Sequence, residues 1–376
     1  RRLAAMSQRL TDAKRVVIKI GSSLLVDQQS GDLRRDWLDA LMDDVASCRQ
    51  GKQDILLVSS GAIALGRRSL GLGARMLRLE DSQAAAAAGQ IRLAHAYQES
   101  LARHGVPVAQ ILLTGDDTER RRRYLNARNT LTALLAHGSV PVVNENDTVA
   151  TEEIRFGDND RLAARVAAMI GADCLVLLSD IGGLHSADPR LHDNAEFIAE
   201  VAEITPEIEA MAGATGSHDG SGGMVTKIQA ARIAGQAGCS MVIADGTAAH
   251  PIARLRDGGR GTWFTTAATP TSARKRWIAA SLHVRGSLSV DAGAVKALGQ
   301  GRSLLPAGVT AVEGDFQRGD AVVVRGPDGS ALGRGLTAYS TADAQRIKGH
   351  RSDRIQAILG YLGREEMIHR DDLVLG

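Results

Sequence analysis

The sequence predicts an α/β protein of three layers, with helices on both faces of a mostly parallel central sheet, followed by a small β-rich domain. Short apolar runs of strand length alternate with segments of helical period from residue 14 to about residue 265. The strand-like runs end in small or polar residues. After the stretch TTAATPTSARKRW, closely spaced glycines, turns such as GPDG and alternating strands replace the helical segments.

Six apolar runs are the predicted strands of the sheet: VVIKIGSS, DILLVSSG, VPVAQILLT, SVPVVNEND, ADCLVLLSD and CSMVIADG. The segments between them that have helical period include LRRDWLDALMDDVASCRQG, DSQAAAAAGQIRLAHAYQESLARHG and DNDRLAARVAAMIGA. A strand, a helix and a further strand joined by right-handed crossovers produce a parallel sheet. The alanine run at residues 84–88 suits a tightly packed helix.

We predict a catalytic domain at residues 14–265, a linker at 266–282 and the β-rich domain at 283–376. The first residues, RRLAAMSQRL, form an extension to which no role is assigned. No internal repeat is visible.

Composition excludes several protein classes. The formal net charge is +2, with 23% charged and 44% hydrophobic residues, which is ordinary for a globular protein and argues against a dedicated polyanion binder. The three cysteines, Cys48, Cys174 and Cys239, share no metal-ligand spacing. We expect their side chains to be buried in the protein and the protein to be in a reducing compartment. No run approaches the ~20 apolar residues of a membrane span, and the arginine-rich start lacks the apolar run of a signal peptide. A cytoplasmic location is therefore expected.

Polar residues and glycines follow the predicted strands where each one ends. Lys19 and Gly21 end the first strand, Ser60 and Gly61 follow the second, and further polar pairs follow the fourth and fifth. In open α/β sheets, ligands bind beyond the carboxyl ends of the strands. The sequence therefore predicts a binding site along this rim.

The stretch GSGGMVTK, residues 220–227, combines a glycine-rich loop with a lysine at the start of a helical run. It lacks the adjacent Gly-Lys and the glycine spacing of the common nucleotide loop. Phosphoryl transfer requires groups that bind and neutralise phosphate. Here these would be backbone N–H groups left accessible by glycines, the N-terminus of a helix, and the two lysines Lys19 and Lys227. Taken singly, each lysine is equally well explained as solvated and each glycine as a turn.

Asp147, Asn159 and Asp160 add an acidic and amide cluster to the rim. A helix N-cap accounts for one residue of the run Asp158 to Asp160, but not for all of them. Such a cluster can bind a substrate ammonium group, position lysines, or hold Mg²⁺ through water.

Seven segments, in their order and spacing, resemble the glutamate 5-kinases of the amino acid kinase family. They are IKIGSS, VSSGAIALG, RRRYLNARNT, PVVNENDTVA, GDNDRLAA, SDIGGLHSADPR and GSGGMVTKIQAA. The C-terminal module, with HRDDLVL near its end, resembles the PUA domain, an RNA-associated fold. The resemblance implies the amino acid kinase fold and ATP- and Mg²⁺-dependent phosphorylation of the side-chain carboxylate of L-glutamate. The product would be the acyl phosphate of the first step of proline synthesis.

The resemblance also implies roles for individual residues. Lys19, Lys227 and Asp160 match the catalytic positions, with Asp160 orienting the two lysines. Glutamate-binding positions are matched by Ser60, Gly61, Asp147 and Asn159. Nucleotide-binding positions are matched by Lys19, Gly21, Ser179, Asp180, Ser221, Gly222, Gly223, Met224, Val225, Thr226 and Lys227. No protein side chain is assigned to the metal.

Two positions depart from the family pattern near the nucleotide. Asp245 stands where an asparagine is usual, and His185 replaces a usual aromatic residue. Neither touches the reacting groups, so we expect any effect in nucleotide affinity rather than in activity. The run of arginines from Arg120 to Arg123 is left open between a substrate loop and a subunit contact.

Competing interpretations differ in acceptor or in class. Other amino acid kinases act on acetylglutamate, aspartate or nucleoside monophosphates, but are not expected to combine VSSGAIA, RRRYLNARNT and the C-terminal module. A dehydrogenase is excluded because no GxGxxG follows the first strand. The third alternative is an RNA-binding protein with a kinase-like scaffold, which has no physical need for Lys19, Lys227 and Asp160 together.

Partners follow partly from the resemblance and partly from charge. The resemblance implies L-glutamate and ATP as substrates, proline as a feedback inhibitor, and a homo-oligomer. RNA binding by the C-terminal domain ranks low. Residues 277–376 carry 12 Lys and Arg against 11 Asp and Glu and only four aromatic residues, whereas RNA binding requires a basic face.

Overall fold

A computed structural model describes residues 2–73, 76–149, 159–187, 192, 194–214, 223–279 and 284–376. The chain divides into two compact units, Arg1–Pro270 and Thr271–Gly376. The predicted domain bounds stay a prediction, which limited proteolysis would test.

Unit 1 contains ten described strands. They are β1 (Arg15–Ile20), β2 (Asp54–Ser59), β3 (Val108–Leu113), β4 (Val140–Glu145), β5 (Cys174–Ser179), β6 (Leu184–His185), β7 (Phe197–Ile198), β8 (Glu200–Val201), β9 (Ser240–Asp245) and β10 (Gly261–Phe264). All six predicted strands are confirmed, as β1 to β5 and β9.

The helices of this unit connect the strands. They are α1 (Arg2–Asp12), α2 (Ser22–Leu25), α3 (Arg35–Gln50), α4 (Ala62–Ser69), α5 (Leu79–Ala102), α6 (Gly115–Glu119), α7 (Arg121–Ala136), α8 (Asn159–Ile170), α9 (Pro206–Ala214), α10 (Met224–Gln236) and α11 (Pro251–Arg256). The three predicted helical segments correspond to α3, α5 and α8.

Eight of the strands form one sheet, in the order β3-β4-β2-β1-β5-β9-β10-β8. Every pair from β3 to β9 is parallel, and β10 is antiparallel to β9, so the prediction of a mostly parallel sheet is confirmed. Ile20 pairs with Ser59 on one side and Leu178 on the other. The carboxyl ends of β1, β2 and β5 therefore meet at one edge of the sheet.

Alternation along β1 separates the two faces of the sheet. Val16, Ile18 and Ile20 belong to a core shared with α1, α3, α5 and α11. Val17 belongs to a second core, shared with α8, α9 and α10. Because side chains alternate with a period of two, Lys19 projects to the same face as Val17. Helices thus cover both faces, which gives the expected three layers.

Unit 2 is built on a five-stranded sheet in the order β12-β11-β13-β14-β15. Its strands are β11 (Gly286–Val290), β12 (Val309–Gly314), β13 (Ala321–Arg325), β14 (Ala331–Leu336) and β15 (Leu373–Leu375). Its helices are α12 (Pro270–Ala279), which starts at the boundary, α13 (Ala292–Gly299), α14 (Thr341–Ile347) and α15 (Ile355–Leu359). A core of its own, including Phe316 and Tyr339, supports this unit.

Within the described ranges, no helix combines the length and the apolar character needed to cross a lipid bilayer.

Candidate active site

One buried carboxylate joins the two lysines predicted from the sequence. Lys19 Nζ lies 2.7 Å from Oδ1 of Asp160, and Lys227 Nζ lies 3.0 Å from Oδ2. The Asp160 side chain is fully buried, and the two lysine side chains are 7% and 4% exposed. Two ammonium groups and one carboxylate leave one positive charge in excess at the rim of the sheet.

Three different elements bring these groups together. β1 projects Lys19 toward the face covered by α8 and α10. Asp160 lies in the first turn of α8, and Lys227 lies in the first turn of α10, which begins after Gly223. The Thr226 hydroxyl also donates to Asp160 Oδ2, at 2.9 Å. A helix N-terminus carries partial positive charge, so α10 adds to the attraction of this site for anions.

Burial and charge oppose each other in the pKa values of this cluster. Burial by itself raises the pKa of Asp160, but the charges of Lys19 and Lys227 outweigh it and hold that pKa below its usual range. Burial lowers the pKa of Lys227, and the Asp160 carboxylate partly offsets that effect. Asp160 therefore remains ionised at neutral pH and can orient both lysines.

A second polar cluster lies at the ends of β2 and β4. The Asn159 side-chain amide nitrogen lies 3.1 Å from the Ser59 carbonyl oxygen, 2.9 Å from Ser60 Oγ and 3.0 Å from Asn144 Oδ1. Asn159 is adjacent to Asp160, so the first turn of α8 contributes to both clusters. The predicted glutamate-binding residues Ser60 and Asn159 are thus brought together, directly beside the lysine cluster.

Gly61 forms the turn between β2 and α4. Its φ of 106° lies in the left-handed region, which residues other than glycine rarely adopt. A Cβ atom at this position would also contact Leu25 and Val26 at 3.4 Å. A residue with a side chain would therefore be strained at this turn, and the role of Gly61 in ligand binding stays a prediction.

Helices α4 and α5 approach each other unusually closely beside this turn. A Cβ atom on Gly66 would lie 1.7 Å from the Ala85 carbonyl oxygen, and one on Gly89 would lie 1.8 Å from that of Ala62. Within the alanine run, Ala85 and Ala86 are buried at this crossing, whereas Ala84 and Ala87 are exposed, so the predicted tight packing holds for one face of the helix. The close crossing fixes the start of α4, and with it the turn at Gly61.

Two carboxylates lie at the end of β4: Glu145 is its last residue, and Asp147 begins the turn that follows. Burial raises the pKa of Asp147 to about 6. Burial and the neighbouring charge of Asp147 raise the pKa of Glu145 to about 7, and Arg161 acts in the opposite direction. A cationic ligand group would relieve this accumulation of negative charge, which fits the predicted binding of an ammonium group by Asp147.

The end of β5 carries the predicted nucleotide-contacting pair. Ser179 Oγ donates to Asp180 Oδ1 at 3.1 Å and accepts from the backbone N–H of Ile181. Asp180 is exposed, and its charge reaches Lys227. Gly21 lies at the end of the adjacent strand β1, where it precedes α2. These positions border the lysine cluster.

The rest of the predicted nucleotide loop is only partly described. Ser221 and Gly222 lie outside the described residues, as does Asp158. Gly223 caps α10 with extended backbone. The Met224 side chain is buried in the core of the α8 and α10 face, whereas Val225 is 46% exposed. Met224 is therefore limited to backbone contact with a ligand.

The two departures from the family pattern have local partners. Asp245 accepts hydrogen bonds from the backbone N–H and hydroxyl of Thr247. The His185 ring meets that of Phe197 edge to face, with centroids 5.4 Å apart, and the Arg260 guanidinium lies 3.9 Å from the centroid of Phe197. The effect of either departure on nucleotide affinity stays a prediction.

The arginine run begins at the junction of α6 and α7. Arg120 pairs with Asp116, and Arg123 pairs with Asp117. Local acidic residues thus offset part of this positive charge, and the role of the run stays open.

Sequence reasoning missed the residues that support the second cluster from behind. Gln90 and Tyr97 lie on the buried face of α5 and bond to Asn144 and Ser59. Their spacing of two helical turns places them on one face of the helix. That spacing was the only feature of the local sequence that could have identified these two residues.

Comparisons with known proteins confirm the predicted family and the predicted C-terminal PUA domain. A model of the amino acid kinase family matches residues 14–245, and a PUA domain model matches residues 286–359. Glutamate 5-kinase of Paramagnetospirillum magneticum is 61% identical over 366 residues, covering 97% of this chain and 99% of that protein. The glutamate 5-kinase of Rhodospirillum rubrum is 60% identical over 359 residues, covering 96% of both. That of Rhodopseudomonas palustris strain BisB5 is 58% identical over 368 residues, covering 98% of both.

Proposed function

Because this chain belongs to the amino acid kinase family, and within it to the glutamate 5-kinases, we infer that it phosphorylates the side-chain carboxylate of L-glutamate with ATP. The product is L-glutamyl 5-phosphate, and the reaction is the first step of proline biosynthesis. The observation that carries this proposal is the buried carboxylate of Asp160 with Lys19 and Lys227 on its two oxygens, directly beside Asn159 and Ser60.

The reaction needs no general base. The side-chain carboxylate of glutamate is already ionised at neutral pH. One of its oxygens attacks the γ-phosphorus atom, and the bond from that phosphorus to the β,γ-bridging oxygen breaks. ADP leaves with the electron pair, and no proton is transferred. Catalysis then depends on positioning and on stabilising the charge that spreads over the transferred group.

We assign the lysine cluster to that charge. Lys19 and Lys227 approach the phosphate oxygens from β1 and α10, and Asp160 holds both ammonium groups in place. The buried position strengthens their interaction with the transferred group, because few waters screen it. Gly21, Ser179, Asp180 and the loop from Ser221 to Lys227 surround the nucleotide in this assignment.

We assign the second cluster to glutamate. Asp147 attracts the ammonium group in this assignment, because burial raises the pKa of its carboxyl group and a cation beside it would stabilise the ionised form. Ser60 and Asn159 provide hydrogen-bonding groups, and Gly61 allows the substrate to approach the backbone.

The residues present fit ATP bound with Mg²⁺. Among the described residues, no group of three or more His, Cys, Asp or Glu side chains is placed to hold a metal ion. Mg²⁺ commonly binds through substrate phosphates, water and one or two carboxylates, so it would reach this site together with ATP. When bound, Mg²⁺ would neutralise phosphate charge in the same way as the lysines.

Proline inhibition, self-association and a cytoplasmic location complete the proposal. Proline carries an ammonium and an α-carboxylate group, as glutamate does, and would compete for the groups around Asp147. Initial rates at several glutamate concentrations with millimolar proline test this, since about millimolar is an ordinary metabolite affinity. Light scattering of the purified protein tests the homo-oligomer.

The acceptor specificity tests the proposed function. Purified protein with ATP and Mg²⁺ is given L-glutamate, aspartate, N-acetylglutamate or uridine monophosphate; ATP consumption is measured, and hydroxylamine traps any acyl phosphate. We expect hydroxamate with L-glutamate alone. Turnover with another acceptor and none with glutamate would overturn the assignment.

A further inference from the structure

Helix α5 supports the second cluster from behind through two side chains, Gln90 and Tyr97, that do not reach the rim. We propose that these are positioning residues for glutamate: Gln90 orients Asn159 through Asn144, and Tyr97 orients Ser60 through Ser59. This inference rests on the proposed function and names residues that control its glutamate site.

Backbone groups fix the orientation of the Asn144 amide. The backbone N–H of Glu145 donates to Asn144 Oδ1 at 2.8 Å, so this atom must be the oxygen of the amide. The nitrogen of the same amide then faces Gln90 Oε1, to which it donates at 2.8 Å. Asn144 is 3% exposed and Gln90 is 8% exposed, so water is a poor substitute for this bond.

The Asn159 amide is fixed in the same way. The Ser59 carbonyl and Asn144 Oδ1 can only accept hydrogen bonds, so the atom of Asn159 that faces both must be the nitrogen. Its two hydrogens are directed to these acceptors, with Ser60 Oγ also at 2.9 Å. Within the described ranges, Asn159 Oδ1 takes no hydrogen bond, and it is left as an acceptor suited to the ammonium group of glutamate.

Tyr97 acts on the other half of the cluster. The Ser59 hydroxyl donates its hydrogen to the Ser60 carbonyl oxygen at 3.0 Å. With that hydrogen directed to Ser60, we assign the Tyr97 hydroxyl, 2.8 Å from Ser59 Oγ, as the donor in their shared bond. The Tyr97 side chain is fully buried, and burial raises its pKa, so it keeps the proton that this bond requires. The Ser60 backbone beside Gly61 is thereby held in one orientation.

The strands explain why one helix reaches both chains of hydrogen bonds. Asn144 follows Val142 on the face of β4 that packs on the α5 side, and Ser59 follows Leu57 on the same face of β2. β2 and β4 are neighbours in the sheet. Gln90 and Tyr97, two helical turns apart on α5, meet these two positions.

The test removes each hydrogen bond and measures glutamate and ATP separately. Gln90→Leu removes the acceptor for Asn144, and Tyr97→Phe removes the donor to Ser59. Losing one buried hydrogen bond that orients a ligand is expected to raise the KM for glutamate about tenfold in each variant, with the KM for ATP unchanged. Gln90→Glu keeps an acceptor oxygen for Asn144, so we expect a smaller rise in the KM for glutamate than in Gln90→Leu, together with a loss of stability from the buried carboxyl group.

Gln110→Leu is the matched control. Gln110 is exposed and accepts from the opposite end of the Gln90 amide at 3.4 Å, away from Asn144. We expect no change in either KM.

The inference would be overturned if wild type is active and the KM for glutamate is unchanged in both Gln90→Leu and Tyr97→Phe. It would also be overturned if the KM for glutamate and the KM for ATP rise equally. Should Gln90→Leu fail to fold, Tyr97→Phe decides. Wild-type protein that forms no hydroxamate from glutamate contradicts the proposed function instead.

Discussion

Lys19 and Lys227 are far apart in the sequence of unit 1, yet their ammonium groups contact the two oxygens of a single buried carboxylate, that of Asp160. Two like charges remain together in a buried site because Asp160 compensates them, and a transferred phosphoryl group would compensate the remaining charge. This pair is therefore the physical centre of the proposed chemistry.

Removing the charge of Asp160 should damage both stability and turnover. Asp160→Asn leaves two buried ammonium groups without their carboxylate, and breaking a buried ion pair in this way costs about 3–5 kcal/mol. We expect a lower urea midpoint and a kcat reduced at least about 100-fold. Asp43→Asn is the control, because Asp43 is 40% exposed in its pairs with Arg103 and His104 and contributes at most about 1 kcal/mol. Equal effects of the two substitutions would contradict the role of Asp160.

Removing the lysine charge should affect turnover more than glutamate binding. Lys227→Met takes away a cation that acts on the transferred phosphoryl group, and loss of one such electrostatic contact lowers kcat by about 100- to 1,000-fold. The KM for glutamate should change by no more than a few-fold, since Lys227 lies outside the glutamate cluster. Lys14→Met, at an exposed position, is the control. Turnover near that of wild type in Lys227→Met would rule out its assigned role.

The two carboxylates at the end of β4, Glu145 and Asp147, predict opposite effects of pH on activity and stability. Asp147 must be ionised to attract an ammonium group, so kcat/KM for glutamate should rise as pH passes from about 5 to about 7, given pKa values of about 6 and about 7 for Asp147 and Glu145. These two groups titrate as a coupled pair. A pH profile of kcat/KM that is flat over this range would contradict the assignment of Asp147.

Stability should fall over the same range. Both folded-state pKa values lie above the ordinary 3.8 of Asp and 4.5 of Glu, so the folded state binds these protons more tightly than the unfolded state. The free energy of unfolding therefore decreases as pH rises through this window. Glu145→Gln should be more stable than wild type at about pH 8, where wild type carries the buried charge, and should lose this advantage at about pH 4. Urea unfolding at the two pH values measures the difference.

The close crossing of α4 and α5 should not tolerate a methyl group. Gly89→Ala places a Cβ atom 1.8 Å from the Ala62 carbonyl oxygen, and the helices must separate. We expect a loss of about 1–3 kcal/mol in stability and a higher KM for glutamate, because the turn at Gly61 moves with α4. Gly235→Ala is the matched control on α10, where nothing lies within 4 Å of the added atom. It should stabilise the protein by up to about 1 kcal/mol.

The parallel sheet and the lysine cluster followed from the sequence for a physical reason. Apolar runs of strand length identify buried strands, and polar residues at their ends, such as Lys19 and Ser60, collect at one edge once the strands are parallel. Asp160 was included in the predicted rim because one N-cap cannot account for consecutive acidic and amide residues, whereas its link to the two lysines came from the resemblance to the family. The roles of these residues in binding and catalysis remain predictions.

The contacts of Gln90 and Tyr97 with the second cluster could not be predicted from the pattern of apolar runs. Gln90 and Tyr97 lie in an alanine-rich helix, and their partners Asn144 and Ser59 come from strands distant in the sequence. No local period encodes such pairs, because only the folded sheet brings them together. The reversed direction of β10 was equally hidden, since its short apolar run does not reveal strand orientation.

An oxygen-isotope measurement tests the central claim most directly. L-Glutamate labelled with ¹⁸O in its side-chain carboxylate is incubated with ATP, Mg²⁺ and hydroxylamine, and the released phosphate is analysed by mass. If the side-chain oxygen attacks the γ-phosphorus, hydroxylamine displaces phosphate at the carbonyl carbon, and each phosphate carries one ¹⁸O from glutamate. Phosphate released without the label would show that water or another group is the acceptor, and would contradict the account.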